Sequence, residues 1–235
     1  MAESSRPTLD AEVAGVACLA EPRRLALYRF VAGQPDPVGR DEAAAGVGLP
    51  RHTAKFHLDK LVEEGLLDVE YRRLTGRVGP GAGRPAKLYR RAAREISVTL
   101  PEREYALAGD LMATAIEQSM AAGQDVVPAL HKVARARGRA MGDTVRKTTG
   151  RRAGRPALLS ATAEALASSG YEPRVDAGQV TLANCPFHEL AQRHTRLVCG
   201  MNLALLEEMA AQTDGRLTAR LEPGEGRCCV VVSVS

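Results

Sequence analysis

The stretch Gly46–Leu67, GVGLPRHTAKFHLDKLVEEGLL, decides how the first third of the chain is read. Gly46-Val47-Gly48-Leu49 makes a turn. Pro50 sits where a first-turn proline is tolerated, because its missing N–H would lack a helical partner anyway. From Arg51 the positions Ala54, His57/Leu58, Leu61 and Val62 recur every three to four residues, which predicts a helix with one buried stripe. The exposed side carries Arg51, His52, Thr53, Lys55, Phe56, His57 and Lys60, most of them at the front of the helix. Gly65 stops the helix, and Leu66-Leu67 starts a strand. An ordinary amphipathic surface helix ending in glycine would share this pattern, so the flanks must decide.

Upstream, Glu12–Leu19 reads as a short helical lead-in after a loose tail. Glu21-Pro22-Arg23-Arg24 opens a helix to about Ala32, with Leu25, Leu27, Tyr28 and Val31 as core candidates. Cys18 reads as a core residue. After the turn GQPDPVG, Arg40–Ala45 is a short helix with Asp41 and Glu42 favourably in its first turn. Three helices in this order, with a glycine turn between the last two, predict a helix-turn-helix. Downstream, Leu67–Tyr71 alternates as a half-buried strand does, and Leu88-Tyr89 reads as the returning strand. The loop between them is rich in Gly and Pro and carries Arg72, Arg73, Arg77, Arg84 and Lys87. It reads as a wing that lays cations along phosphates or into a narrow minor groove.

Charge supports this placement. Residues 51–94 hold 11 Lys/Arg against 5 Asp/Glu, and residues 131–155 hold 9 against 1. A net charge of +4 therefore hides two basic blocks on an otherwise acidic chain, the pattern of a localised polyanion-binding surface. No apolar run is long enough to span a bilayer, and the N-terminus has no basic start followed by an apolar stretch. A cytoplasmic protein with no membrane partner is expected. Its five cysteines then read as thiols or ligands rather than disulfides.

Residues 20–95 resemble the winged-helix domain of ArsR/DeoR-like bacterial transcriptional regulators. The phrases EPRRLALYRFV, VGRDEAAAGVGLPRHTAKFHLDKLVEEGLLDVEYRR and GPGAGRPAKLYR carry the resemblance. It implies a homodimer on double-stranded DNA, at an operator with two half-sites. Arg51, His52, Thr53, Lys55, His57 and Lys60 would then face bases and phosphates, and Arg72, Arg73, Arg77, Arg84 and Lys87 would hold the wing.

The expected fold class is α+β and mainly helical, in three parts. Residues 1–97 form the winged helix-turn-helix. Residues 98–148 hold two long helices, Glu102–Ala122 and Val126–Lys147, read as a dimerisation region or else as an intramolecular hairpin. Residues 149–235 follow a basic linker, TTGRRAGRP, and form a sensor-like αββαββ domain. Its strands are expected at Tyr171–Val175, Gln179–Ala183, Leu217–Leu221 and Cys228–Val234.

That last domain gathers Cys185, His188, His194, Cys199, Cys228 and Cys229, a soft donor set suited to zinc or iron–sulfur chemistry. If 187–212 were one straight helix, His188 and Cys199 would stand about 16 Å apart along its axis. A break near His194-Thr195, with Thr195 as N-cap, lets Cys199 approach the Cys185 loop. Cys228 and Cys229 should point to opposite faces of one strand, so one of them is expected to ligate, and Cys228 is the choice. The candidate ligands are thus Cys185, Cys199, Cys228, His188 and His194. This pattern also resembles the SufR-type branch of the same regulators, which spaces its cluster cysteines C-x12-C-x13-C-x14-C from an opening Cys-Pro. Cys185-Pro186, Cys199 (after 13 residues rather than 12) and Cys228 answer to the first, second and last, while Thr213 stands at the third. The resemblance implies an iron–sulfur cluster. The residues alone leave zinc, or metal-free buried or redox-active thiols, beside it.

The function expected is a DNA-binding transcriptional regulator modulated by a cluster, a metal or redox state. The second reading is a winged-helix regulator sensing a small organic effector. An enzyme is not expected, because a Cys199–His194 nucleophile lacks a third orienting residue.

Overall fold

The computed structural model describes residues 9–73, 85–150, 153–213 and 215–234. The chain divides into two compact units, residues 1–98 and 99–235.

In the first unit α1 (Leu9–Cys18), α2 (Pro22–Ala32), α3 (Arg40–Gly46) and α4 (Arg51–Glu63) are joined by strands β1 (Val38–Gly39), β2 (Leu67–Arg72) and β3 (Ala86–Arg91). Glu21 caps α2, its Oε2 accepting from the Arg24 N–H at 2.8 Å, with Pro22 in the first turn. The C-terminus of α4 closes as a Schellman turn. Leu66 N–H donates to Leu61 O at 2.9 Å and Gly65 N–H to Val62 O at 3.0 Å, with Gly65 at φ +68°. A side chain there would be strained, and this is why the chain can leave the helix directly into β2. The antiparallel sheet has the order β1-β3-β2 with Val69 opposite Tyr89. Leu27, Val31, Val38, Ala54, Leu58, Leu61, Leu67 and Tyr89 form one core. The helix-turn-helix and its two long strands lie where expected. β1 was not anticipated; Val38-Gly39 pairs with Leu88-Tyr89 and closes the sheet against α3.

The second unit holds α5 (Tyr105–Ala122), α6 (Val126–Thr149), α7 (Arg155–Ala167), β4 (Pro173–Asp176), β5 (Gln179–Leu182), α8 (His188–Arg193), α9 (Thr195–Ala211), β6 (Leu217–Leu221) and β7 (Val230–Val234). Its antiparallel sheet has the order β4-β5-β7-β6. The long helices are not a separate layer from the C-terminal elements. Leu111, Leu130 and Met141 share one core with Leu166, Leu182, Met201, Leu205 and Val232. The closest approach is between α6 and α9. A Cβ on Gly138 would come 2.0 Å from Leu205 O, and one on Gly142 would come 2.5 Å from Met209 O. Only the bare backbones fit at this crossing. On the other side, α5 leaves Ile116 and Met120 exposed.

The helix expected over 187–212 breaks at His194, which has φ −131° and ψ 47°. Thr195 is the first helical residue rather than the cap. Its hydroxyl donates backwards to Ala191 O at 2.8 Å, and His194 stands at the cap with no side-chain cap hydrogen bond. The αββαββ order becomes α7-β4-β5-α8-α9-β6-β7.

Candidate functional site

α4 has two sides. Ala54, Leu58 and Leu61 are fully buried, and His57 is buried with them at 7% exposure. The expected DNA contact at His57 is therefore corrected. It follows Ala54 by three residues and precedes Leu61 by four, so the helical period turns it inward. Its Nδ1 lies 3.6 Å from Glu21 Oε2, the carboxylate that caps α2. Arg51, His52, Lys55 and Phe56 are exposed, and Thr53, Asp59 and Lys60 are half-buried.

The charges on α4 are graded along its axis. Arg51 Nε stands 2.6 Å from Asp41 Oδ1, and Lys55 Nζ stands 3.0 Å from Asp59 Oδ2. Lys60 Nζ lies 3.0 Å from Glu63 Oε2 and 2.9 Å from Glu64 Oε1, so two acids of its own helix neutralise it. The acids that pair with the front cations, Asp41 and Asp59, lie outside the first two turns of α4, and the helix dipole adds positive charge at the same end. This is the end that suits phosphate.

Asp59 ties the helix to the wing strand. Its Oδ1 accepts from Lys87 Nζ at 2.6 Å and from the Tyr89 hydroxyl at 3.2 Å. Burial pushes its carboxyl up, but hydrogen bonds from Lys87 and Lys55 outweigh this and hold it below the ordinary range. Lys87, expected as a wing contact, is spent on this bridge. Arg72 Nη2 pairs with Glu70 Oε1 at 2.5 Å, and Arg73 is exposed. Arg77 and Arg84 lie outside the described residues.

In the second unit, four cysteines converge from three places: the loop after β5, helix α9 and the bend before β7. Cys199 Sγ lies 2.9 Å from Cys229 Sγ. Cys185 and Cys228 lie near enough to shift each other's thiols, as do Cys228 and Cys229. Both adjacent cysteines thus join the cluster, contrary to the expectation that one would face away. The reason is local: β7 starts at Val230, so residues 228 and 229 do not follow strand alternation.

The expected histidines are not drawn in. His188 and His194 are exposed, and the His188 ring meets Gln192 Nε2 at 2.9 Å. Thr213 is buried and donates to Ala210 O at 2.6 Å. It lies 14 residues beyond Cys199, about 20 Å along the helix direction.

A polar network supports the thiols, and sequence reasoning missed it. Buried Asn202 donates to Cys228 Sγ at 3.4 Å and accepts from the Tyr171 hydroxyl at 2.5 Å. Asn184 donates to Glu102 O and Gly170 O, each at 2.9 Å, and accepts from Arg103, which also donates to Cys185 O at 3.1 Å. The signal available was two asparagines in otherwise apolar stretches, where a polar group needs partners if it is buried.

The hydrogen bond from Cys228, with the Phe187 N–H, lowers the Cys185 thiol below its usual range against burial. Cys228, the donor, is pushed up to about 12. Burial pushes Cys199 up to about 12 as well, and the Cys228 contact raises Cys229.

Among the described residues no three His, Cys, Asp or Glu side chains stand in a geometry that would hold a metal ion as they are. In chemical kind the four thiols suit a thiophilic centre. At a Zn–S distance of about 2.3 Å, tetrahedral thiolates stand about 3.8 Å apart. The Cys199–Cys229 pair at 2.9 Å reaches that by a shift of less than about 1 Å. Exposed His194 does not contact the thiols in this arrangement, since Cys199 faces Cys229.

Comparison with known proteins bears on the first unit. Residues 19–70 match the family model of a helix-turn-helix domain. The N-terminal unit therefore carries a helix-turn-helix domain over these residues. No curated protein matches the chain. Among solved structures, the chain is similar to human N-acetylserotonin methyltransferase in complex with SAM, at 19% identity and a TM-score of 0.24. That match spans 66% of this chain and about half, 52%, of the methyltransferase. The neighbour is an enzyme, so the exclusion of enzymatic activity drawn from the sequence is withdrawn. At this TM-score the likeness carries no reaction or substrate to this chain. Among the described residues no helix is long and apolar enough to cross a membrane.

Proposed function

We propose that the chain is a cytoplasmic, dimeric transcriptional regulator whose operator binding responds to a group held by Cys185, Cys199, Cys228 and Cys229. The observation that carries the sensor half is the convergence of four thiols from three separate segments, with Cys199 and Cys229 sulfurs 2.9 Å apart. Thiolates of this number suit an iron–sulfur cluster or zinc, either of which would cross-link the Cys185 loop, α9 and the start of β7. Such a group supplies redox or metal sensitivity when bound. The protein's own part is to fix the Cys185 loop through Asn184 and to orient Cys228 through Asn202.

The DNA-binding half rests on the helix-turn-helix match and on the exposed Arg51, His52 and Lys55 at the front of α4. Exposed Ile116 and Met120 on α5 supply an apolar stripe for a second copy. Full-length protein titrated onto duplex DNA at several salt concentrations tests this half. Binding that weakens log-linearly with salt and favours selected over random sequence supports it. Absence of selective binding overturns it.

A further inference from the structure

The outer face of α4 carries a side chain that phosphate binding does not use. Phe56 is 65% exposed, the most solvent-open aromatic on that helix. It sits four residues after His52, one after Lys55 and four before Lys60, central on the exposed stripe. Its edge meets the His57 ring, with centroids 5.3 Å apart and planes at 69°. The phenyl thus has one ring neighbour on its own helix, the buried His57. The ring lies in a shallow depression with His52, Lys55, Asp59, Lys60 and Glu63.

An apolar ring gains nothing from a phosphate oxygen or from the hydrogen-bonding edge of a base. In the major groove the apolar feature among the base edges is the thymine C5-methyl. We propose that Phe56 is a specificity-determining residue that packs against thymine methyl groups in the major groove. This rests on the DNA-binding reading above. It assigns polar contact to Arg51, His52 and Lys55, and leaves selection for thymine to a residue with no charge.

The test starts from duplexes selected from a random pool by full-length protein. The enriched sequence is resynthesised with deoxyuridine for each thymidine in turn, which deletes one methyl and nothing else. Wild-type protein should lose about fourfold in affinity at one or two thymine positions, the equivalent of ~0.8 kcal/mol per buried methyl. Phe56→Ala, at an exposed site where folding is retained, should bind more weakly and should no longer distinguish uracil from thymine there. Phe56→Leu should keep part of the discrimination. An equal loss on uracil substitution in wild type and Phe56→Ala, or no loss in wild type, overturns the proposal while leaving selective DNA binding intact. A pool that yields no enriched sequence overturns the DNA-binding reading and the proposal with it.

Discussion

Cys199 and Cys229 lie 30 residues apart in sequence, and their sulfurs stand 2.9 Å apart in space. That contact makes Cys229 a full member of the thiol cluster, and Thr213 a bystander at the far end of α9. The first prediction follows from it. Cys229→Ser should lower bound metal or cluster per chain as severely as Cys199→Ser does, while Thr213→Ser leaves it unchanged. Metal analysis of the purified variants decides. Full loading of Cys229→Ser would return the fourth position to a histidine.

The Asn202 side chain links the Tyr171 hydroxyl to Cys228 within a closed interior. Asn202→Leu removes both bonds and leaves Tyr171 and Cys228 without this partner. Leaving a buried donor unsatisfied costs about 1–3 kcal/mol, so unfolding should shift to lower urea by that amount. Circular dichroism through the transition measures it. Unchanged stability would mean that the network does not order the cluster.

The crossing of α6 and α9 depends on bare backbone at Gly138 and Gly142. Gly138→Ala should destabilise the second unit by about 1–3 kcal/mol through overpacking. In the full chain, protection of α6 and α9 amides from hydrogen exchange should fall, with little change in the first unit. Equal loss of protection in both units would contradict the separation of their cores.

At the wing, the sign of the pH effect is fixed by Asp59. Its folded carboxyl is held below its ordinary value, so it contributes stability above about pH 4. That contribution is lost as pH falls through the folded value. At an exposure of 36% solvent screens the pair, and no more than about 1 kcal/mol is expected. Asp59→Asn should be less stable than wild type at pH 7, and the two should converge towards pH 3. A constant gap from pH 7 to 3 would remove the ion pair from the account.

How much of this the sequence carried depends on range. The stripe Ala54, Leu58 and Leu61, the turn Gly46–Leu49 and the stop at Gly65 are local patterns, and α4 was legible from them. His57 was read on both sides of the helix because it sits at the stripe's edge. Only the packing of α2, which brings Glu21 to 3.6 Å, shows which side wins. Lys87 was read as a free wing cation because its partner, Asp59, is 28 residues away. β1 went unread because two residues carry no period. In the cluster, Cys185-Pro186 and the break near His194 were visible as loop chemistry. Cys229 was set aside by applying strand alternation one residue before the strand begins. The Tyr171–Asn202–Cys228 relay joins distant segments, and its one local trace is a lone asparagine in an apolar stretch.

The central claim is that operator binding responds to a group held by the four thiols. Anaerobic purification of the full chain, with absorption spectra and iron, sulfide and zinc analysis, followed by DNA titration before and after removal of the metal, tests it most directly. The account predicts a metal or cluster bound by the four cysteines and a shift in operator affinity of about fivefold or more when it is removed, a coupling of at least about 1 kcal/mol. Metal-free protein with intact thiols, or a loaded protein whose affinity for DNA does not change on stripping, would contradict it.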